Sequence, residues 1–372
     1  MIRNELFKSI QRVVVKIGTS SISNDQGINL VFLTSLANQV KELQSKGVQV
    51  IIVSSGAIGS GAKVLGLKAP IRVIELQQVS AAVGQPRLMQ AYENVFSGLD
   101  LKVAQILLTY DVFENRRKYL NLRNALNELL KLNVVPIINE NDVVAVDEIG
   151  PTFTDNDKLS ALVAAKLNAQ LLVNLTSTEG VYSQNPNLSK NKNFEVIKVV
   201  DKITPELEKI AGKPSMHGTG GMYSKVQAAK ICMKAGIFLV IASSKQPNVL
   251  NRIVSGEELG TLFLPKEILS NKQRWIAFGQ PKGILLVDNG AMLAVQKDKS
   301  LLAIGVREII GSFEKNEIVS LVCSGKEFAR GLTNFSSSEL KKIKGLNSDQ
   351  AAMQLGKKVK SVVLAENLIK MN

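Results

Sequence analysis

RVVVKIG, residues 12–18, is a short β-branched run that ends on glycine and carries a lysine two places before that end. A run that is apolar at successive positions, not at alternate ones, suits a strand buried on both faces. The pattern returns along the first two-thirds of the chain: VQVIIVSSG (48–56), KVAQILLT (102–109), VVPIIN (134–139), AQLLVNLT (169–176) and IFLVIA (237–242). Helical spacing fills the intervals at 28–44, 73–96, 116–132, 159–167 and 224–235. In the first of these Leu33, Leu36, Ala37 and Val40 recur on one face and Gly47 closes it. Buried strands alternating with helices predict an α/β fold with a mostly parallel sheet covered on both faces. Ligands of such sheets collect beyond the carboxyl ends of the strands. Turn-rich segments stand there: GTS after the first run, SSGAIGSG after the second, NEND after the fourth and TSTEG after the fifth.

The pattern changes after Pro265. KEILSNKQRWIAFGQPKG (266–283) mixes charge, glycine and proline around the single tryptophan, and reads as a linker or connecting hairpin. Beyond it, ILLVDNGAMLAV and EIVSLVCS read as short strands, with turn signals at 288–290 and 324–325. The expected organisation is a first domain over 1–265, a linker over 266–280 and a small β-rich domain over 281–364.

Composition is that of an ordinary globular protein: 372 residues, 45% hydrophobic and 21% charged. The two cysteines, Cys232 and Cys323, lie far apart without a CxxC partner. That argues against a disulfide framework or a zinc site and suggests two core residues in a reducing cytosol. The N-terminal MIRNELFKSIQR has no apolar region behind it, and no apolar run approaches the roughly 18 residues of a membrane span. A soluble, cytoplasmic protein without a membrane partner is expected. The net charge of +14 suits nucleic acid, acidic small molecules or a solvated surface. The excess is spread along the chain, and KKIK (341–344) and KKVK (357–360) are its dense clusters.

No GxxxxGK[ST] and no GxGxxG occurs, so neither standard nucleotide loop is present. The one histidine, His217, has no nucleophile placed beside it, which argues against a catalytic triad and a histidine-rich metal centre. Lysines, carboxylates and glycine turns at strand ends remain. That set suits phosphoryl transfer, which asks a protein mainly for positioning and charge stabilisation. Lys16 can reach phosphate oxygens while Gly18 lets the backbone approach; equally, it can be an exposed strand-end lysine. SSGAIGSG reads as a turn opening a helix, able to bind a carboxylate or phosphate, or as a flexible glycine turn. NENDVV and TDNDKLSA gather Asp142, Asp155 and Asp157 with Asn139, Asn141 and Asn156. Those groups can hold an ammonium, align lysines and Mg²⁺, or simply cap helices. GTGGMYSK (218–225), two hydroxyls and a lysine in a glycine-rich stretch before a helix, reads as a phosphate cradle.

Taken in order along nearly the whole chain, VVKIGTS, VSSGAIGSG, AAVGQPRLMQ, NLRNAL, VVPIINENDVVA, DNDKLSALVA and AGKPSMHGTGGMYSK resemble the glutamate 5-kinases of the amino-acid kinase family. The resemblance implies a three-layer α/β/α sandwich followed by a PUA domain, a module first known from RNA-modifying enzymes. It implies ATP-dependent phosphorylation of the γ-carboxylate of L-glutamate, opening proline synthesis, with Mg²⁺ bound through ATP and no metal ligand from the protein. Feedback by proline and a homo-oligomer, dimer or tetramer, are further implications, and RNA is a possible partner of the second domain.

Residue by residue, the family's ATP site maps onto Lys16, Gly18, Thr176, Ser177, Thr219, Gly220, Gly221, Met222, Tyr223, Ser224 and Lys225. Its glutamate site maps onto Ser55, Asp142 and Asn156, with Asp142 taking the ammonium while Ser55 and Asn156 hold carboxylates. Lys16 and Lys225 would be catalytic, with Asp157 orienting both. Two positions depart from the family: Ser177 stands where an aspartate is frequent, and His217 where an apolar residue is usual. Aspartokinase- or acetylglutamate-kinase-type activity is the neighbouring alternative, and an RNA-binding protein working through its second domain the alternative of another class.

Overall fold

The computed structural model describes residues 3–24, 27–68, 70–145, 156–184, 194–212, 221–265, 271–279, 281–357 and 361–371. The chain divides into two units, Met1–Ile268 and Leu269–Asn372.

The first unit opens with α1 (Arg3–Phe7), β1 (Arg12–Ile17), α2 (Thr19–Ile22), the small hairpin β2 (Ser23–Asn24) and β3 (Gly27–Ile28), and α3 (Leu30–Ser45). It continues with β4 (Gln49–Ser54), α4 (Ala57–Val64), α5 (Ile74–Ser97), β5 (Lys102–Leu108), α6 (Asp111–Glu114), α7 (Arg116–Lys131) and β6 (Val134–Glu140). Next come α8 (Asn156–Lys166), β7 (Leu171–Thr176), β8 (Val199–Val200), α9 (Pro205–Ala211), α10 (Met222–Lys234), β9 (Phe238–Ser243), α11 (Val249–Val254) and β10 (Thr261–Phe263). All six expected strands and all five expected helices are present, with ends shifted by a few residues.

Eight strands form one sheet in the order β5-β6-β4-β1-β7-β9-β10-β8. Its pairs are parallel except where β10 runs against β9. β1 sits in the middle, and Val13, Val14, Val15 and Ile17 are all fully buried. Alternation sends Val13, Val15 and Ile17 into one core with Leu33, Leu36 and Val40 of α3 and Leu88, Tyr92 and Phe96 of α5. Val14 and Lys16 face the opposite layer, that of α8 and α10. Burial on both faces is why these strands read as unbroken apolar runs. β5 closes one edge and is half-exposed along most of its length.

Two local devices shape this unit. α4 and α5 touch backbone to backbone. A Cβ on Gly61 would lie 1.8 Å from Ser80 O, and one on Gly84 would lie 1.9 Å from Ala57 O. At the far edge, the buried Arg3 guanidinium donates to Leu259 O at 2.6 Å and Lys198 O at 2.8 Å, with Glu257 O and Gly260 O at 3.4 Å. This ties the first helix to the sheet edge at β10 and β8, the former being the last strand of the unit in sequence.

The second unit holds α12 (Asn271–Phe278), β11 (Gly283–Val287), α13 (Asn289–Gln296), β12 (Val306–Gly311), β13 (Ile318–Cys323), β14 (Lys326–Thr333), α14 (Ser337–Ile343), α15 (Ser348–Leu355) and β15 (Val363–Lys370). Its sheet runs β12-β11-β13-β14-β15 around a core of its own. Three expectations change here. Part of the stretch taken as linker is α12, whose Ile276 is buried with Ile318 and Leu332. ILLVDNGAMLAV is not two strands: after β11 the Asp288 carboxylate accepts from Ala291 N at 2.8 Å and starts α13. An aspartate before Ala, Met and Leu caps a helix as readily as it starts a turn. The sheet also runs past residue 364, because β15 is its edge strand.

The glycine contact between α4 and α5 gives a direct test. Gly84→Ala forces a methyl into the α4 backbone and should cost about 3 kcal/mol, the upper part of the overpacking range. Urea denaturation reads this, and an unchanged midpoint would contradict the packing described.

Candidate functional site

The site lies at the carboxyl ends of the central strands. Lys16, one residue from the end of β1, is only 4% exposed. It pairs in register with Asn174 of β7 and Val53 of β4, so Lys16 and Asn174 share a face. α8 carries Asp157 in its first turn, where the helix N-terminus favours a carboxylate. α10 carries Ser224 and Lys225 in its own first turn.

These side chains meet on Asp157, which is fully buried. Its Oδ1 accepts from Lys16 Nζ at 2.5 Å and Asn174 Nδ2 at 2.8 Å. Its Oδ2 accepts from Lys225 Nζ at 3.1 Å and Ser224 Oγ at 2.6 Å. Burial by itself would push this carboxyl up. The attraction of Lys16 and Lys225, with the Lys16 and Ser224 hydrogen bonds, outweighs burial and holds it well below the usual carboxylate range. Gly18 follows at once: its N–H donates to Leu175 O at 3.3 Å, and a Cβ there would lie 3.9 Å from Lys16 Nζ. A larger side chain at Gly18 would fill the space beside the ammonium.

A second polar group lies alongside, at the ends of β4 and β6. Asn156 Nδ2 donates to Ser54 O at 3.0 Å, with Ser55 Oγ and Asn139 Oδ1 each at 3.1 Å. Asn139 Oδ1 also accepts from Glu140 N–H at 2.9 Å, and Asn139 Nδ2 donates to Gln85 Oε1 at 2.9 Å. A carbonyl only accepts and an amide N–H only donates, so Ser54 O and Glu140 N fix which way both amides point. Among the described residues, Asn156 Oδ1 is left buried without a partner. Beneath it, Tyr92 O–H donates to Ser54 Oγ at 2.9 Å. Gly56, at φ +106°, turns the chain into α4, and a Cβ there would lie 2.7 Å from Ile22 Cγ2.

The structure therefore joins Lys16, Asp157, Ser224 and Lys225 in one cluster and Ser55 with Asn156 in a second, both at the ends of adjacent strands. Asp142 follows β6 in a turn, and burial pushes its carboxyl up to about 6. Thr176 is buried and Ser177 exposed at the end of β7, while Gly221, Met222 and Tyr223 lead into α10. Thr219 and Gly220 lie outside the described residues, as do His217 and Asp155. Asn174 and Gln85 were not singled out from the sequence. The signal for Asn174 was present, a polar amide inside the buried run LLVNLT; Gln85 had none beyond its place between Gly84 and Pro86.

A mostly parallel α/β sheet with two lysines closing on one aspartate at its carboxyl edge defines a class. The profile of the Amino acid kinase family matches residues 11–243, that of the PUA domain matches residues 283–352, and the chain belongs to the amino acid kinase family. Within it, the chain is similar over nearly its full length to glutamate 5-kinases. It is 45% identical to that of Methanosarcina mazei, covering 98% of this chain and 97% of the relative. Identity is 45% to that of Methanococcoides burtonii, with 98% of each chain covered. It is 44% to that of Geobacter sp., with 95% of each covered.

Asp157→Asn would leave two ammonium groups buried without their counter-charge. It should cost about 3–5 kcal/mol at pH 7. Chemical denaturation of the variant checks this, and wild-type stability would exclude the ion triad.

Proposed function

We propose that this chain transfers the γ-phosphoryl group of ATP to the γ-carboxylate of L-glutamate, giving L-glutamyl 5-phosphate, the first step of proline synthesis. The observation that carries the reading is the convergence of Lys16 and Lys225 on Asp157. A carboxylate attacking a phosphoryl group is one anion approaching another. A unit charge 4 Å away is worth about 4 kcal/mol at an effective dielectric near 20. Two ammonium groups against the single charge of Asp157 leave a net positive charge to set against the repulsion. Lys16 and Lys225 neutralise the transferring group, and the N–H groups beyond Gly18 and at the start of α10 supply further donors.

In the chemical step a γ-carboxylate oxygen bonds to the γ-phosphorus. The bond from that phosphorus to the β–γ bridging oxygen breaks, and ADP leaves with the electron pair. No general base is required, because a carboxylate with its ordinary pKa of about 4 is already ionised at neutral pH. Mg²⁺ is proposed to enter as part of the MgATP substrate, since Asp157, the carboxylate nearest the lysines, is engaged by them.

The second polar group suits the amino-acid end of glutamate. Asp142 takes the α-ammonium. Asn156 has committed its NH₂ and has only an acceptor open, which suits that ammonium better than the carboxylate first expected of it. Ser55 Oγ accepts from Asn156 and so keeps its own O–H for a carboxylate. Thr176, Ser177 and the segment from Thr219 to Lys225 hold the nucleotide. Inhibition by proline and assembly into dimers or tetramers belong to the same proposal through the family resemblance. No helix among the described residues is long and apolar enough to cross a membrane.

Purified protein with ATP, Mg²⁺, L-glutamate and hydroxylamine should give γ-glutamyl hydroxamate, and L-aspartate or N-acetylglutamate little; the reverse preference would move the chain to another branch of the family. Lys16→Ala and Lys225→Ala should each lower kcat by about 10²–10³, as loss of one oxyanion donor does. An alanine variant with full turnover would remove that lysine from the mechanism. Asp142 must be ionised to hold an ammonium. With its carboxyl at about 6, KM for glutamate should rise as pH falls below that value, by up to about tenfold per pH unit. In Asp142→Asn the KM should be high and this slope absent.

A further inference from the structure

We propose that Asn174 is a positioning residue that keeps Asp157 in place while Lys16 exchanges the carboxylate for a phosphoryl oxygen. The inference deepens the kinase reading and rests on it. Each oxygen of Asp157 has, among the described residues, one cationic and one neutral donor: Lys16 with Asn174 on Oδ1, Lys225 with Ser224 on Oδ2. A lysine that shares its ammonium donors with a transferring phosphoryl group loosens its hold on Asp157. The carboxylate is fully buried, so water cannot replace the lost bond, and a carboxylate held through Oδ2 alone is free to turn or to draw the lysine back. A neutral donor on a fixed strand stays where it is. Asn174 is that donor. It is fully buried in the middle of the sheet, and its backbone is paired to β1 on one side and β9 on the other.

Nothing else in the fold asks for an amide here. Neighbouring Leu171, Leu172, Val173 and Leu175 are apolar and buried, and asparagine is poor in strand interiors. The side chain uses its NH₂ on Asp157, while its Oδ1 is buried with no hydrogen-bond partner among the described residues. An unsatisfied acceptor in a core costs stability. A leucine of nearly the same shape would remove that cost, so the amide is retained for what its nitrogen does to Asp157.

Asn174→Leu and Asn174→Asp, assayed beside wild type by hydroxamate formation at saturating glutamate, test this. For Asn174→Leu, kcat should fall about 10- to 100-fold, the usual loss when a partner that orients a reacting group is removed. KM for glutamate should stay within about twofold, and the melting temperature should not drop, since the leucine also removes the unsatisfied acceptor. Asn174→Asp sets a second carboxyl against Asp157, and the pair holds a proton more tightly than either alone. Once protonated, the new carboxyl donates where the amide did. Its kcat relative to wild type should therefore recover as pH falls from 9 to 6. Wild-type kcat in Asn174→Leu would overturn the inference. So would a loss of kcat in both variants that follows a fall in melting temperature and shows no recovery at lower pH. If wild type itself makes no glutamate-dependent product, the kinase reading fails and this inference falls with it. A wild type that is active beside an equally active Asn174→Leu defeats the inference alone.

Discussion

The Asp157 carboxylate, sealed from water between two ammonium groups, is the point on which the catalytic unit is organised. It brings together the end of a central strand, the start of one helix and the start of another, segments widely separated along the chain. Two lysines alone would repel each other there, and an aspartate alone would lose its charge to burial. Together they make a cationic cluster whose counter-charge is already inside the protein. On the proposed reading, an anionic nucleotide tail meets ammonium groups that Asp157 already holds in place.

The second polar group, proposed to take the amino-acid end of glutamate, is held by other means. Its polarity is set by two main-chain groups, Ser54 C=O and Glu140 N–H, which determine the orientation of Asn156 and Asn139. Its position is set by main chain as well, since the glycine contact brings α4 close against α5 and Gly56 supplies the left-handed turn that starts α4. Charge organises one half of the site, and backbone geometry organises the other.

Much of this was legible before any coordinates. Six of the eight strands of the sheet were readable because a strand buried on both faces must be apolar at nearly every position, a demand written directly into RVVVKIG and most of its counterparts. The turns that bring the polar clusters together were readable because they follow those strands. What the sequence hid was anything that depends on a distant partner. Gly61 looked like flexibility in an anion-binding loop until Gly84 was placed against it. Asn174 looked like part of a strand until Lys16 and Asp157 flanked it. The second unit was read as β-rich, as it is, but its helices were missed because local signals are ambiguous. Asp288 could open a turn or cap a helix, and the capping boxes Ser336–Glu339 and Asn347–Gln350 mark two helices that went unread.

The Arg3 clamp has a consequence for how the protein is made. Its acceptors lie 195 to 257 residues further along the chain. While the ribosome is still extending the polypeptide, the leading helix has nothing to grip. β1, although it emerges early, also waits for β7 to flank it. The first unit thus closes by joining its beginning to its end, and a nascent chain halted before residue 260 lacks β10 and leaves β9 as an open sheet edge. Holding the amino terminus until that late moment is a demand that this topology places on whatever attends the chain during synthesis.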